Sequence, residues 1–248
     1  MDEEIIIGKN PVIEALKSGR SVNKVFLNEQ LNRSMQGKFM ELGRAAGTVV
    51  QKVPKNKLDQ ISAGKNHQGV IAYVASYPYA DLDDLFIAAD RKEEAPFFII
   101  LDELEDPHNL GSILRTAEAV GAHGVIIPKR RAVGLTQVVA KTAAGAIEYV
   151  PVARVTNIAG TIDELKEKNI WVVGTEAEAT EDYRMMDGTL PIAIVIGNEG
   201  KGISRLVRKK CDWTVSLPMK GKVSSLNASV ACSLLLYEIY RKRHPVGE

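Results

Sequence analysis

The feature that most restricts the fold of this chain is an alternation, from Phe97 onward, of short apolar runs with longer amphipathic stretches. The first run, FFIILDEL (97–104), is apolar without alternation, which is typical of a strand covered on both faces. Similar runs follow at 125–128, 150–155, 171–176, 192–200 and 213–219. Strands that alternate with helical stretches predict an α/β fold with a largely parallel sheet.

Helices are predicted between these strands. They cover 109–120, about 135–144, 161–168 (where Thr161 and Glu164 have capping-box spacing) and 225–243. Folds of this kind bind ligands at the carboxyl ends of their strands. Three strand ends carry unusual residues, in the segments DPHNLGSILR (106–115), GNEGKG (197–202) and LPMKGKVSSLNAS (217–229). We therefore expect the functional site in these three segments.

The N-terminal part has a different composition. Short alternating strands and helices over 1–76, the first helix beginning at Asn10–Pro11 and ending at Gly19, predict a small α/β domain. Residues 1–75 hold 11 Lys and Arg against 7 Asp and Glu, whereas the rest hold 21 against 24. This split favours an RNA-binding domain at 1–76, although a chance imbalance explains the same counts. Segment 77–96, charged and rich in turn residues with one short helical patch, is predicted to be a linker to a second domain at 97–248.

Several chemistries are disfavoured by spacing. Gly197, Gly200 and Gly202 have G-x-x-G-x-G spacing, which is neither the dinucleotide pattern nor a phosphate loop. Such a loop lets its backbone approach a flat ligand, because no Cβ intervenes, but a tight structural turn has the same pattern. No nucleophile elbow is present, and the four histidines and two cysteines lack metal-ligand spacing. We predict no metal.

The first residues and the hydropathy of the chain predict a cytoplasmic protein. The start, MDEEIIIGKN, has no basic region followed by an apolar core, so it does not resemble a signal peptide. No apolar run approaches the roughly 18 residues of a membrane helix.

Together, the three segments resemble the signature motifs of the SpoU (TrmH) family of RNA ribose 2′-O-methyltransferases, in the knotted SPOUT superfamily. Residues 109–115 match the first motif, N-x-G-x-x-x-R; 194–202 match the second; and 217–221 with 224–231 match the third. The resemblance covers about 97–243, and Ala228 departs from it where many relatives carry Val. GKNPVIEAL (8–16) and HQGVIA (67–72) resemble the family's small RNA-binding domain.

This resemblance implies a C-terminal trefoil knot, S-adenosylmethionine as cofactor, and a homodimer with each active site completed at the interface. The subgroup it most resembles methylates a guanosine of large-subunit rRNA. Methylation of a tRNA ribose, or a non-catalytic role in RNA binding and ribosome assembly, remain alternatives. By position in the motifs, the implied cofactor contacts are Thr175, Gly197, Leu217, Met219, Ser225 and Leu226.

The resemblance also implies a catalytic set, which comprises Arg115, Asn109, Glu199, Ser225 and Asn227. A guanidinium with a pKa above about 12 is a poor general base. We therefore expect Arg115 to bind the neighbouring phosphate and to stabilise negative charge on the 2′-oxygen, with the other four orienting it or the ribose.

Two further patterns have a functional and a structural interpretation. The basic runs 129–131 and 201–210 either line an RNA path or form solvated faces. The apolar stripe of the last helix is long enough for both the core and a subunit interface, and it comprises Leu226, Val230, Leu234 and Tyr237.

Overall fold

The computed structural model describes residues 5–17, 20–75, 77–222 and 225–247, and these form two compact units. The first unit holds the described residues up to Pro78 together with Gly134–Val138, and the second holds Tyr79–Val133 and the chain from Val139 onward. Residue 76, the predicted domain boundary, and Gly19, the predicted helix end, lie outside the described residues, as does Ser224 of the third motif.

The first unit is a four-stranded sheet with helices on it. The strand order is β1-β4-β2-β3, with β2 and β3 parallel and the other pairs antiparallel. One core cluster, centred on the fully buried Val25 and Phe39, joins the sheet to the first two helices. The elements are β1 (Ile5–Ile7), α1 (Lys9–Lys17), β2 (Val22–Asn28), α2 (Arg33–Ala45), β3 (Val49–Val53), α3 (Lys55–Ser62) and β4 (Val70–Val74).

The second unit contains a seven-stranded sheet in the order β7-β6-β5-β10-β8-β11-β9, and each of its strand pairs is parallel. The predicted parallel α/β architecture is therefore confirmed. The elements are α4 (Leu82–Lys92), β5 (Phe97–Leu101), α5 (Pro107–Ala119), β6 (Gly124–Pro128), α6 (Gln137–Ala143), β7 (Val152–Val155), α7 (Ile158–Glu167), β8 (Trp171–Thr175), β9 (Glu181–Asp182), β10 (Ile192–Ile196), α8 (Arg205–Lys210), β11 (Trp213–Ser216) and α9 (Ala228–Arg243), with 3₁₀ turns at Ala146–Glu148 and Tyr183–Met185.

The central strands β5 and β10 are buried along their whole length, as their continuous apolar sequence predicts. Alternate residues of these strands, such as Phe98 and Val195, pack in a cluster with side chains of α4, α7 and α8. Helices α5 and α9 pack against each other and α9 also contacts β10. The sheet is thus held rigidly, and the carboxyl ends of its strands meet at one edge.

Four local predictions change. Segment 77–96 contains α4, which is longer than the short patch expected and buries Leu85 in the core of the second unit. Helix α5 begins two residues before Asn109, because the Asp106 side chain caps it and Pro107 follows. Asn157, not Thr161, caps α7, and α9 begins at Ala228 rather than at residue 225.

No helix of the described ranges has both the length and the apolar composition required to cross a bilayer.

Candidate active site

The loops after β8, β10 and β11 and the start of α9 line a cavity of about 700 Å³. Neighbouring parallel strands bring their carboxyl ends together, since β8 pairs with both β10 and β11. A volume in this range suits a ligand of the size of a nucleoside with an amino-acid side chain. The cavity is lined by all six predicted cofactor contacts, Thr175, Gly197, Leu217, Met219, Ser225 and Leu226.

The wall of the cavity combines apolar side chains with polar and charged ones. Thr175, the half-buried last residue of β8, does not offer a free hydroxyl, because its Oγ1 donates to the Val195 carbonyl at 2.9 Å. Sequence reasoning missed part of the wall, namely Ile196, Val215, Ala231 and Leu235. Ile196 is the last residue of β10 and Val215 the next-to-last residue of β11. Their position at the carboxyl ends of predicted strands could have indicated them as cavity residues.

Gly197 allows a close approach between two parts of its own loop. A Cβ on Gly197 would lie 2.2 Å from the Gly202 carbonyl carbon and 2.3 Å from the Ile203 nitrogen. The loop closes there through two main-chain hydrogen bonds between Asn198 and Gly202, of 3.0 and 2.8 Å, and Gly202 has a φ of +65°. The missing Cβ thus lets the loop fold back on itself, which is the tight structural turn that the sequence left open beside the approach of a flat ligand.

A hydrogen-bonded triad joins the three motifs. The Oε1 atom of Glu199 accepts hydrogen bonds from Asn109 Nδ2 at 2.9 Å, from Asn227 Nδ2 at 2.6 Å and from the Ala228 nitrogen at 3.3 Å. Asn227 Nδ2 also donates to Asn109 Oδ1 at 2.9 Å. Asn109 is buried, so its amide depends on these partners. Three of the five predicted catalytic residues are therefore one connected group.

Asn227 has a second task at the start of α9. Its Oδ1 accepts hydrogen bonds from the main-chain nitrogens of Ser229 and Val230, at 3.0 and 3.3 Å, and from the Ser229 hydroxyl. The side chain is therefore the N-cap of the helix as well as a member of the triad.

Arg115 and Ser225 are exposed and stand apart from the triad. Among the described ranges, no residue pairs with the Arg115 guanidinium by a hydrogen bond or an ion pair. Ser225 lines the cavity, but its hydroxyl likewise makes no hydrogen bond to a described residue. A cation exposed on α5 without a protein partner is available to an anionic ligand.

One side of helix α9 is apolar and exposed. Its side chains are Val230, Leu234, Tyr237 and Tyr240, at 48%, 42%, 52% and 39% exposure. The core face of the same helix is formed by different residues, Cys232, Leu235, Leu236 and Ile239, which are fully buried. The predicted stripe thus does not serve the core, apart from Leu226, which precedes the helix and lines the cavity. Below, the exposed surface formed by these four residues of α9 is called the outer face.

The two basic runs differ in how far their charges are engaged. In 201–210, Arg208 Nε lies 2.9 Å from a Glu176 carboxylate oxygen and Lys210 Nζ lies 2.7 Å from Asp163. In 129–131, Arg131 pairs with Glu103 at 2.6 Å, and its pKa is raised by the hydrogen bond that its guanidinium donates to this carboxylate. Lys201, Arg205 and Lys209 are exposed cations without such a pair among the described residues.

The described residues contain no group of three or more His, Cys, Asp or Glu side chains that could hold a metal ion.

Two families of known proteins match the chain. Residues 96–237 match the SpoU rRNA Methylase family, and residues 5–80 match the family described as RNA 2′-O ribose methyltransferase substrate binding. The chain is 62% identical, over 99% of its length and 98% of the relative's, to a Bacillus subtilis (strain 168) protein that carries the name TrmH family tRNA/rRNA methyltransferase YacO.

Two solved structures are similar over 96% of the chain. One is the SpoU methyltransferase AviRb from Streptomyces viridochromogenes in complex with the cofactor AdoMet, with a TM-score of 0.62, 29% identity and 90% of that chain covered. The other is an AdoMet-bound rRNA methyltransferase from Sinorhizobium meliloti, with a TM-score of 0.58, 25% identity and 86% of that chain covered.

Proposed function

Because the chain belongs to the SpoU rRNA Methylase family and is an S-adenosylmethionine-dependent RNA methyltransferase, we propose that it methylates the ribose 2′-hydroxyl of a guanosine in large-subunit rRNA. The proposal rests on the observation that the three motifs lie close together. They meet at a cavity at the ends of β8, β10 and β11, which is bordered by the Asn109–Glu199–Asn227 triad.

The cavity fits the cofactor by its chemistry. Its apolar side chains, such as Leu217 and Leu226, suit the faces of an adenine, and the main chain around Gly197 offers polar groups to the purine edge. We propose that the six cofactor contacts named from the motifs hold the molecule there. The cofactor supplies a methyl group on a sulfonium, which is already an activated leaving group.

The chain's own residues then have to position the RNA. We propose that Arg115 binds a phosphate next to the target ribose and stabilises the negative charge that develops on the 2′-oxygen. The triad holds the loops of the three motifs in one geometry, which keeps the methyl acceptor in line with the donor. Ser225, at the cavity and without a described hydrogen-bond partner, is free to contact the ribose.

The outer face supports a homodimer. Four large apolar side chains exposed along one helix form an interaction surface rather than a solvated one. We propose that a second copy covers them, and that Arg115, on the neighbouring α5, thereby serves the cavity of the partner. Homodimerisation, the trefoil knot and a cytoplasmic location stay predictions.

The first unit is proposed to supply RNA affinity. Its match to a substrate-binding family and its net positive charge both support this role. A chain that starts at Tyr79 keeps α4, whose Leu85 packs in the second core, and so tests the idea better than one that starts at Phe97. Its RNA binding should weaken and become less salt-dependent, while cofactor affinity should stay. Equal salt slopes for the two proteins would contradict the proposal.

rRNA is preferred to tRNA because the Sinorhizobium neighbour, which is named an rRNA methyltransferase, is similar over 96% of this chain. The test is incubation with radiolabelled S-adenosylmethionine and total RNA from cells that lack the enzyme, followed by mapping of the labelled nucleotide. Label at a 2′-O-methylguanosine of large-subunit rRNA is expected. Label in tRNA would refute the substrate, and label on a base would refute the proposed atom.

A further inference from the structure

We propose that Glu176 recognises the cofactor by accepting a hydrogen bond from the hydroxyls of its ribose. Glu176 lies outside the three motifs and was not among the predicted site residues. The inference rests on the proposed position of the cofactor in the cavity.

Glu176 is the first residue after β8, and its side chain is held at the cavity. Its main-chain nitrogen donates to the Val215 carbonyl of β11 at 3.0 Å, so the end of β8 stays fixed to the neighbouring strand. The side chain is only 14% exposed and lines the same cavity as Gly197 and Leu217. The carboxylate therefore belongs to the wall of the cavity.

The hydrogen-bonding capacity of this carboxylate is unused within the chain. Its Oε2 atom is buried, and within the described ranges neither carboxylate oxygen accepts a hydrogen bond. Arg208 Nε lies 2.9 Å from Oε2, but the pair does not have hydrogen-bond geometry. Oε2 is closed off from the cavity, so a ligand can reach only Oε1, which is not buried and also lacks a donor among the described residues. Largely buried carboxylates in proteins nearly always have donors, so an unbonded Oε1 in a cavity wall indicates a donor on the ligand.

The charge of the neighbour decides what kind of donor fits. Arg208 already compensates the negative charge of Glu176, so a second cation, such as the ammonium of the cofactor, gains less from this carboxylate than it would from an unpaired one. A neutral hydroxyl satisfies the carboxylate without adding charge. In dinucleotide-binding α/β folds, too, a carboxylate accepts a hydrogen bond from a ribose hydroxyl.

The test uses the full chain and isothermal titration calorimetry with three ligands. These are S-adenosylhomocysteine, its 2′,3′-dideoxy analogue, and 5′-methylthioadenosine, which keeps the ribose but lacks the amino-acid part. The natural protein should prefer S-adenosylhomocysteine to the dideoxy analogue by about ten-fold or more, because a hydrogen bond to a charged group is lost. Glu176→Gln should lose most of this preference by weakening the ligands with a ribose diol, methylthioadenosine included.

Three variants separate recognition from a structural role. Glu181→Gln removes the same charge from an exposed side chain and should leave both affinities and their ratio unchanged. Arg208→Met removes the ion pair and should preserve the preference for the diol. Glu176→Asp keeps the charge on a shorter side chain, should lose only part of the preference, and remains informative if Glu176→Gln folds poorly.

Two outcomes would overturn the proposal. If Glu176→Gln still prefers S-adenosylhomocysteine to its dideoxy analogue as strongly as the natural protein does, the carboxylate does not bind the ribose hydroxyls. An effect on S-adenosylhomocysteine that is absent with methylthioadenosine would assign Glu176 to the ammonium instead. Absence of S-adenosylhomocysteine binding by the natural protein would refute the cavity itself, and with it the proposed function, so the two failures are distinguishable.

Discussion

The cavity and the outer face share helix α9 but are built in contrasting ways. On the cavity side, Ala231 and Leu235 close the wall, and the adjoining triad satisfies its amides within one chain. On the other side, Leu234 and Tyr237 are exposed, and Arg115 on α5 has no partner among the described residues. We infer that a single chain completes the cofactor site and the triad, whereas the proposed role of Arg115 requires RNA and a second subunit.

Replacement of Arg115 should cause the largest loss. Arg115→Ala should reduce methyl transfer by about 10²–10³, because transition-state stabilisation by a charged donor is removed. The affinity for S-adenosylmethionine should stay, because Arg115 does not line the cavity. Single-turnover kinetics and calorimetry measure the two quantities. Arg91→Ala, an exposed arginine of α4, is the control; near-natural turnover of Arg115→Ala would refute the catalytic assignment.

A charge in the outer face should act next most strongly. Leu234→Glu would bury a carboxylate in the proposed interface and should weaken dimerisation by about thirty-fold or more. Analytical ultracentrifugation measures the dissociation constant. Glu148→Gln, at an exposed position of the second unit, should leave it unchanged. A natural protein that sediments as a monomer at all concentrations would contradict the interface.

Gly197→Ala tests the loop that forms part of the cavity wall. The new Cβ would overlap the main chain of Gly202 and Ile203, so the free energy of unfolding should fall by about 1–3 kcal/mol and cofactor affinity should fall with it. Gly37→Ala is the matched control, because a Cβ there meets nothing within 4 Å and α2 should gain stability. Thermal denaturation and calorimetry follow both. Full stability of Gly197→Ala would show that the loop does not need this glycine.

Mixing the two impaired variants sharpens the comparison further. Chains with Arg115→Ala keep the cavity, and chains with Gly197→Ala keep the arginine. If the arginine acts on the cavity of the partner, mixed dimers regain one working site and the mixture recovers activity. No recovery, with mixed dimers demonstrated by mass spectrometry, would place both halves of each site in one chain.

The smallest effect is expected from the triad. Glu199→Gln keeps an acceptor oxygen but removes its charge, which weakens the hydrogen bonds from Asn109 and Asn227. The free energy of unfolding should fall by about 1 kcal/mol, and the rate of methyl transfer should also fall. Glu118→Gln, exposed on α5, is the control in urea denaturation. A drop no larger than that of the control would mean that the triad does not stabilise the fold.

The sequence alone predicted the structure correctly where a single rule of local structure determines it. The continuous apolar runs predicted buried parallel strands, and the rule that parallel strands share an edge then brought the loops of all three motifs together. The sequence did not predict features that depend on contacts between residues far apart in the chain or on the detailed path of a loop. Leu85 is buried by residues far from its charged segment, and the need for Gly197 arises from main-chain atoms five and six residues later. No sequence pattern indicated Glu176, because its proposed role follows from the lack of a hydrogen-bond donor to its carboxylate, which only the structure reveals.

The double role of Asn227 has a consequence for cooperativity. One side chain closes the first turn of α9 and also bonds to Asn109 and Glu199, so neither the turn nor the triad can open alone without breaking bonds of the other. Fraying of a helix end is normally the cheapest local unfolding event in a protein. Here it is linked to the integrity of the active site, and ligand binding should therefore slow hydrogen exchange at the Ser229 and Val230 amides. The start of a helix would thus serve as a reporter of whether the enzyme is assembled for catalysis.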